Sequence, residues 1–198
     1  MREHPNWCRT PLVFVTGCII ASGSVVLSLA TNEQQRSATT TQQQTHFTLA
    51  RGQVGQLKIG ITADEVIALF GNQRVKQVDL QLEGLPAPAL EIRLGNVSAA
   101  KASLVAELFP PAENRVWRVS VFDRRFKTAA GLGIGSTLGQ IRARHKVRIG
   151  VGEGSVGAFA EDLQMTFDFS QWYPSVHVPA SARAKSVLVL LPPGELPK

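Results

Sequence analysis

Two stretches of the chain share one order of apolar and polar positions, and each predicts a helix. They are Leu57-Lys-Ile-Gly-Ile-Thr-Ala-Asp-Glu-Val-Ile-Ala-Leu-Phe70 and Leu132-Gly-Ile-Gly-Ser-Thr-Leu-Gly-Gln-Ile-Arg-Ala-Arg-His145. In each, a threonine at the expected N-cap is followed three residues later by Glu65 or Gln140, which completes a capping box. Thr62 and Thr137 are 75 residues apart, and the repeated pattern indicates an internal duplication.

Alternating apolar and polar residues after each helix predict antiparallel strands that are covered on one face. The first set is residues 78–83, 90–94, 104–108 and 116–122, with a turn expected at Pro86-Ala87-Pro88. The second set is residues 146–151, 156–160, 163–169 and 186–191. We therefore expect an α+β fold of two tandem repeats, each a short helix followed by a four-stranded antiparallel sheet.

The N-terminal residues predict export. Basic residues precede an uncharged run, residues 11–30, and Ser28 and Ala30 are the small residues that a signal peptidase needs at −3 and −1. The same run is long enough to be an uncleaved transmembrane helix. Cys18, after Val-Thr-Gly, also resembles the lipobox of bacterial lipoproteins. All three interpretations place the remainder in the periplasm or outside the cell.

These patterns divide the chain into four parts. Residues 1–30 are a signal peptide or signal anchor, and residues 31–46, which lack large apolar side chains, are a disordered polar linker. Repeat 1 covers residues 47–125 and repeat 2 covers residues 126–198. Each repeat is too small to bury much surface alone, so we expect the two to pack together.

The two helix starts, Gly60-Ile-Thr-Ala-Asp-Glu-Val66 and Gly135-Ser-Thr-Leu-Gly-Gln-Ile141, carry a resemblance to a known family. Together with the predicted sheets, they resemble the β-lactamase inhibitor protein architecture over roughly residues 55–192. That architecture is similar to the single-copy module of the small outer-membrane assembly lipoprotein. The resemblance implies an envelope or secreted protein that binds other proteins and does no chemistry. The inhibitor protein has a disulfide in each repeat, whereas both cysteines here precede residue 31.

Composition limits the classes of partner and of chemistry. With 44% hydrophobic and 18% charged residues, the chain has the composition of a globular protein. A net charge of +6 favours anionic surfaces but is too small to indicate nucleic-acid binding. Because Cys8 and Cys18 lie in the N-terminal segment, no disulfide and no cysteine metal site is expected in the folded region.

No motif predicts a catalytic, cofactor-binding or metal-binding residue. Gly152-Glu-Gly-Ser-Val-Gly157 matches the glycine pattern of dinucleotide sites, but an alternating strand follows where those sites need a helix. We therefore predict a glycine-rich hairpin there. His46, His145 and His177 are far apart in sequence, and we predict no metal, no cofactor and no enzymatic activity.

Two features predict a binding surface. Trp172 and Tyr173 follow an alternating strand and Trp117 lies within another, and large aromatic residues are enriched at protein interfaces. Arg142 and Arg144 belong to a basic segment at the end of the second helix. We take these five as candidate binding residues.

The predicted function is a non-enzymatic protein-interaction module of the cell envelope. It would bind a protein partner and no nucleic acid, and would contact membrane only through residues 11–30 if these stay uncleaved. The alternative is a small periplasmic hydrolase or a carbohydrate-binding domain whose site is assembled only in the fold.

Overall fold

A computed structural model describes residues 47–82, 84–95, 101–109, 114–152, 155–169, 178–191 and 193–195. The predicted signal segment, 1–30, and the predicted linker, 31–46, lie outside the described residues. The described elements are β1 (Thr48–Ala50), β2 (Gln53–Val54), β3 (Leu57–Lys58), α1 (Ala63–Phe70), β4 (Val75–Leu82), β5 (Leu85–Ile92), β6 (Leu104–Leu108), β7 (Val116–Val121), β8 (Lys127–Thr128), α2 (Leu138–Arg142), β9 (Val147–Gly152), β10 (Ser155–Ala160), β11 (Met165–Asp168), β12 (Ser186–Leu190) and a 3-10 helix (Pro193–Glu195).

These strands form two sheets. The larger has eight antiparallel strands in the order β4-β5-β6-β7-β12-β11-β10-β9, and the smaller has the order β3-β2-β1-β8. The predicted fold class, two repeats of a helix with its own four-stranded sheet, is therefore wrong. The strands expected in two sheets form one, because β7 pairs with β12 with Val119 opposite Val189. This pairing removes two edges that separate sheets would expose.

The smaller sheet was absent from the sequence-based expectation. Its strands are two or three residues long, and alternation needs four or more residues to be recognised. β1 is antiparallel to β2 and parallel to β8, with Leu49 opposite Val54 on one side and Thr128 on the other. The protein is consequently richer in β-structure than predicted.

The expectation of a transmembrane helix is wrong for the part of the chain that the structure describes. Its α-helices have eight and five residues, whereas a helix needs about 20 residues to cross a bilayer. None of its helices is long and apolar enough to span a membrane. The uncharged run at residues 11–30 lies outside the described residues.

Both predicted capping boxes are confirmed. The Thr62 hydroxyl accepts a hydrogen bond from the Glu65 backbone N–H, and the Glu65 carboxylate accepts one from the Thr62 N–H at 2.7 Å. Thr137 and Gln140 make the same reciprocal pair, with the Gln140 side-chain oxygen 2.8 Å from the Thr137 nitrogen. Each box satisfies two backbone N–H groups that a helix start leaves without intrahelical partners.

The two helix starts are also held by equivalent arginines. Arg115 Nη1 donates to the Gly60 carbonyl at 2.9 Å, and Arg183 Nη1 donates to the Gly135 carbonyl at 2.9 Å. These arginines lie in isolated β-bridges, opposite Thr62 and Thr137 respectively. The repeated helix pattern does not reveal these arginines, because they lie 55 and 48 residues further along the chain than the glycines whose carbonyl groups they bind.

The first box predicts an acid-dependent contribution to stability. The Thr62 backbone N–H and hydroxyl, which both donate to the Glu65 carboxylate, hold the pKa of that carboxyl below its ordinary value of 4.5. A carboxyl whose pKa is lower in the folded than in the unfolded state stabilises above the unfolded pKa. That contribution is lost as pH falls through the folded pKa.

Between about pH 5 and pH 3, the Glu65→Gln variant is therefore expected to lose less stability than the wild type. Urea unfolding at a series of pH values measures this difference. Gln140→Glu in the second box is the matched control, and this variant should lose more stability than the wild type as the pH falls. Identical pH profiles for all three proteins would refute the expectation.

The turn expected at Pro86-Ala87-Pro88 is wrong, since β5 runs through these residues. β5 pairs with β4 along its whole length, from Leu85↔Leu82 to Ile92↔Val75, but with β6 only over Ala89–Ile92. The prolines therefore lie where β5 has no second described partner strand, which is where a sheet tolerates a residue without an N–H.

The core lies on one face of the larger sheet. Its fully buried residues there include Leu104, Phe167 and Val187, and the same cluster contains Val66 of α1 and Ile141 of α2. Residues of the smaller sheet belong to it as well. Helices and small sheet thus cover one face, and the opposite face of the eight strands is left to form the candidate site.

Candidate binding site

The opposite face of the larger sheet forms an open cavity of about 560 Å³, which we call the trough. Its apolar lining residues are Leu80, Val105, Phe122, Val151, Phe159 and Leu188. Its polar ones are Glu107, Arg118, Ser120, Ser155, Thr166, Asp168 and Ser186, and Gly150 and Gly157 complete it. The volume of this cavity lies within the range of ligand-binding sites, and its lining combines apolar and polar side chains.

Both edges of the sheet contribute to the trough. Leu80 lies on edge strand β4 and Val151 on edge strand β9. In a flat sheet with strands about 4.8 Å apart, these edges would be separated by about 34 Å. Because residues of both edges line one cavity, the sheet is strongly curved and the trough is its concave face.

A buried ion pair lies in the wall of the trough. Arg118 Nε donates to the Glu107 carboxylate at 2.6 Å, and the two side chains are 14% and 5% exposed. The residues are directly opposite each other on β7 and β6. Burial makes such a pair costly to break, because either partner alone would be a buried charge.

Trp117, at a bulge in β7, packs against the arginine of this pair. Glu107 is opposite Arg118 and Leu108 is opposite Val116, so Trp117 is the extra residue of a β-bulge. The Arg118 guanidinium carbon lies 4.5 Å from the centroid of the Trp117 ring, a distance typical of cation–π contacts. Trp117 therefore orients Arg118 without being part of the trough lining.

At one end of the trough, glycines lie opposite each other on two neighbouring strands, and the Thr166 methyl group covers one of them, Gly157. Gly150 of β9 is opposite Gly157 of β10, and Gly157 is in turn opposite Asp168 of β11. Asp168 accepts a hydrogen bond from the Ser186 hydroxyl at 3.1 Å. The sheet thus presents two neighbouring positions without side chains beside a carboxylate.

Aromatic side chains contribute to the trough lining. Phe122, which follows β7, is 50% exposed. Phe159 of β10 also lines the cavity, and the Arg148 guanidinium carbon lies 5.3 Å from its ring centroid. Large apolar residues in contact with water at a concave surface are characteristic of interaction sites.

The structure brings one of the five predicted binding residues next to the trough. Trp117 packs against Arg118 of its wall. Arg142 and Arg144 are exposed at the end of α2 and in the turn after it, away from the trough lining. Trp172 and Tyr173 lie outside the described residues.

Sequence reasoning missed the residues that line the trough, above all Glu107, Arg118, Gly150 and Asp168. Alternation did place Glu107 and Arg118 on the polar side of two predicted strands. Nothing in the sequence showed that these strands are neighbours with those residues opposite each other. The predicted hairpin at residues 152–157 is confirmed, since β9 and β10 pair from Gly152↔Ser155 onward.

A second polar pair lies apart from the trough lining. His145 Nδ1 is 2.6 Å from the Asp162 carboxylate, and the buried His145 Nε2 has no hydrogen-bond partner in the described structure. The sequence suggested no carboxylate partner for His145. Within the described residues, no three His, Cys, Asp or Glu side chains are grouped so that they could hold a metal ion.

Comparison with known proteins supports the fold alone. No protein-family model matches the chain, and no curated protein matches it. Among solved structures, the chain is similar to the uncharacterised protein YfeY of Escherichia coli, with 16% sequence identity and a TM-score of 0.50. The match covers 73% of this chain and 98% of YfeY. Over this part of the chain, the fold is therefore similar to that of a solved structure.

Proposed function

We propose that this protein is an exported, non-enzymatic binding module and that its trough receives a segment of a partner protein in the cell envelope. The observation that carries the proposal is the exposure of the Phe122 side chain in the lining of a cavity on the sheet face opposite the core. A few residues provide most of the binding free energy at protein interfaces, and aromatic side chains, including phenylalanine, are enriched there. Export rests on residues 1–30 of the sequence.

The ion pair in the trough suits a role in recognition. Glu107 accepts a hydrogen bond from the Arg118 guanidinium at 2.6 Å, and this charge-assisted bond holds the carboxylate in one position. A fixed ion pair in a binding wall provides a rigid polar contact for a partner.

A photo-crosslinking residue tests the proposed docking surface. Benzoylphenylalanine in place of Phe122 should form one discrete covalent adduct with a partner protein in cells that export the chain. The matched control is the same replacement at Phe109, which is 46% exposed but does not line the trough. Adducts of equal yield from both positions, or none from position 122, would reject the trough as the docking surface.

Purified components then measure the effect on affinity. With the partner identified from the adduct, Phe122→Ser should weaken binding about tenfold or more, as loss of an interface hot spot does. Phe109→Ser should change the dissociation constant less than about twofold, because its side chain lies outside the interface. Titration calorimetry provides both values.

A further inference from the structure

The two edges of the larger sheet differ in how they are protected against a further strand. Its end strands are β4 and β9. β4 has exposed charged side chains at Lys76 and Asp79, and charge on an edge strand opposes pairing with another strand. The one charged residue of β9 is Arg148, whose guanidinium carbon lies 5.3 Å from the ring of Phe159 on the neighbouring strand β10. This charge is therefore directed inward, away from the open edge.

The hydrogen bonds of β10 show which backbone groups of β9 are directed to the open edge. The Phe169 N–H donates to the Val156 carbonyl at 3.0 Å, so Val156 bonds toward β11. Because successive residues of a strand bond to opposite sides, Gly157 bonds toward β9, where it is opposite Gly150. The alternate positions of β9 therefore direct their N–H and C=O groups away from β10, and no described strand lies on that side. These positions are Val147, Ile149 and Val151.

The side chains of the same three positions form an apolar stripe along the edge. Val147 and Ile149 are partly buried and pack against the core, and Val151 is 57% exposed. Although Leu80 of β4 lines the same cavity as Val151, β4 and β9 are not hydrogen-bonded neighbours. Both the stripe and the backbone groups of this edge are thus open to a further strand.

The fold of one copy does not account for Gly150. A Cβ at this position would meet nothing within 4 Å, and its φ is not positive. Glycine weakens a strand interior and often marks the close approach of another backbone. Arg148 and Gly150 are two residues apart and therefore lie on the same face of β9. Along this face, a long cationic side chain is followed by a position without any side chain.

We infer that two copies of this chain pair through their β9 edges, in antiparallel orientation about a two-fold axis at Ile149. In this register Ile149 is opposite Ile149 of the second copy, and Val147 is opposite Val151 of the second copy. These positions have the outward backbone groups, so each pair exchanges two N–H···O=C hydrogen bonds. Their β-branched side chains form cross-strand pairs that stabilise the joined sheet and cover Val151. The contact uses the edge of the sheet and goes beyond the proposed function of the trough.

The same register is complementary in charge and in shape. It places Arg148 opposite Gly150 of the second copy, in a pair without mutual hydrogen bonds, where the two Cα atoms are about 4.5 Å apart. Glycine leaves room there for the stem of the arginine. An axis at residue 148 would instead place two arginines directly opposite each other, which destabilises a sheet. An axis at Gly150 would leave Val147 without a partner in β9, so the axis at Ile149 alone satisfies the whole edge.

Disulfide crosslinking of the full chain tests the position of the axis. Its own thiols are first removed by Cys8→Ser and Cys18→Ser. Ile149→Cys should then form a disulfide-linked dimer on mild oxidation, because residues of a hydrogen-bonded pair have Cα atoms about 5.5 Å apart, within the range of disulfides. Gln77→Cys, exposed on the other edge strand β4, is the matched control and should stay uncrosslinked. No disulfide at position 149, or an equal yield at position 77, would overturn the inference.

Mixed variants test the antiparallel register. Val147→Cys and Val151→Cys should each stay uncrosslinked alone, because each position is far from its own copy across the axis. An equal mixture of the two variants should form a disulfide between position 147 of one copy and position 151 of the other. A mixture that crosslinks no better than either variant alone would overturn the register.

Charge at position 150 tests the pairing without any crosslink, by sedimentation equilibrium of the full chain. Gly150→Lys should weaken the dimer about tenfold, since symmetry places a lysine opposite Arg148 twice in each dimer. Gly150→Glu places an opposite charge there and should strengthen it. Both variants should fold, because a Cβ at Gly150 meets nothing within 4 Å, and Gly95→Lys is the control for the same reason and should leave the dissociation constant unchanged. A wild-type protein that is monomeric at every concentration, or an equal effect of lysine and glutamate, would overturn the inference.

Discussion

Replacing Arg118 with methionine is expected to lower the free energy of unfolding by about 3–5 kcal/mol. The variant keeps Glu107 in a site where its side chain is only 5% exposed, but removes the guanidinium 2.6 Å from its carboxylate. Removing one partner of a buried ion pair costs more than the pair itself contributes to stability. Urea-induced unfolding, followed by fluorescence, measures the loss.

A second substitution shows whether the loss of the contact between the two charges causes this destabilisation. Glu107→Leu combined with Arg118→Met removes both charges, and the double variant should be more stable than Arg118→Met alone. Arg148→Met is the control for losing an arginine over an aromatic ring at an exposed position, with an expected loss of about 0.5–1 kcal/mol. An Arg118→Met protein as stable as the Arg148→Met protein would contradict the assigned role of the pair.

The helix starts could be predicted because their physics is local. A capping box joins residues three positions apart, and Thr62 with Glu65 bonds as the spacing indicates. The arginines that reinforce these starts are different, since Arg115 reaches Gly60 from 55 residues along the chain. A contact of that kind depends on strand pairing, which the sequence alone does not reveal.

The single large sheet was beyond prediction for the same reason. Alternation identifies a strand and its covered face, but it contains no information on which strand is the neighbour. The step that joins the strands is the pairing of β7 with β12, where Val121 lies opposite Val187. Two separate sheets and one continuous sheet have the same alternation, and they differ in the number of exposed edges.

The candidate site follows from that sheet rather than from any motif. Asp168 and Gly150 line the same trough only because β9, β10 and β11 lie side by side in register. Arg142 and Arg144 illustrate the converse, because a basic segment indicates a charged surface without indicating which face it occupies. Trp117 is near the trough through a bulge, a feature with no sequence signature here.

Replacing Phe126 with alanine is expected to destabilise the protein by about 3–5 kcal/mol, the typical loss for a buried phenylalanine. Phe126 is 1% exposed and precedes β8, where the smaller sheet joins the common core. Its ring makes an edge-to-face contact with Phe47 at a centroid distance of 5.2 Å, and the Lys127 N–H donates to the Phe47 carbonyl at 2.9 Å. The loss should therefore combine a core cavity with a weaker attachment of β1 to β8.

Phe109→Ala is the matched comparison, because it deletes the same atoms from a side chain that is 46% exposed. Its free energy of unfolding should stay within about 0.5 kcal/mol of the wild-type value, as for most surface substitutions. Phe126→Leu should lie between the two, since it retains most of the buried apolar volume. Equal losses for Phe126→Ala and Phe109→Ala would show that Phe126 does not anchor the smaller sheet. The difference between the two losses of stability measures the effect of burial, because the same atoms are removed at both positions.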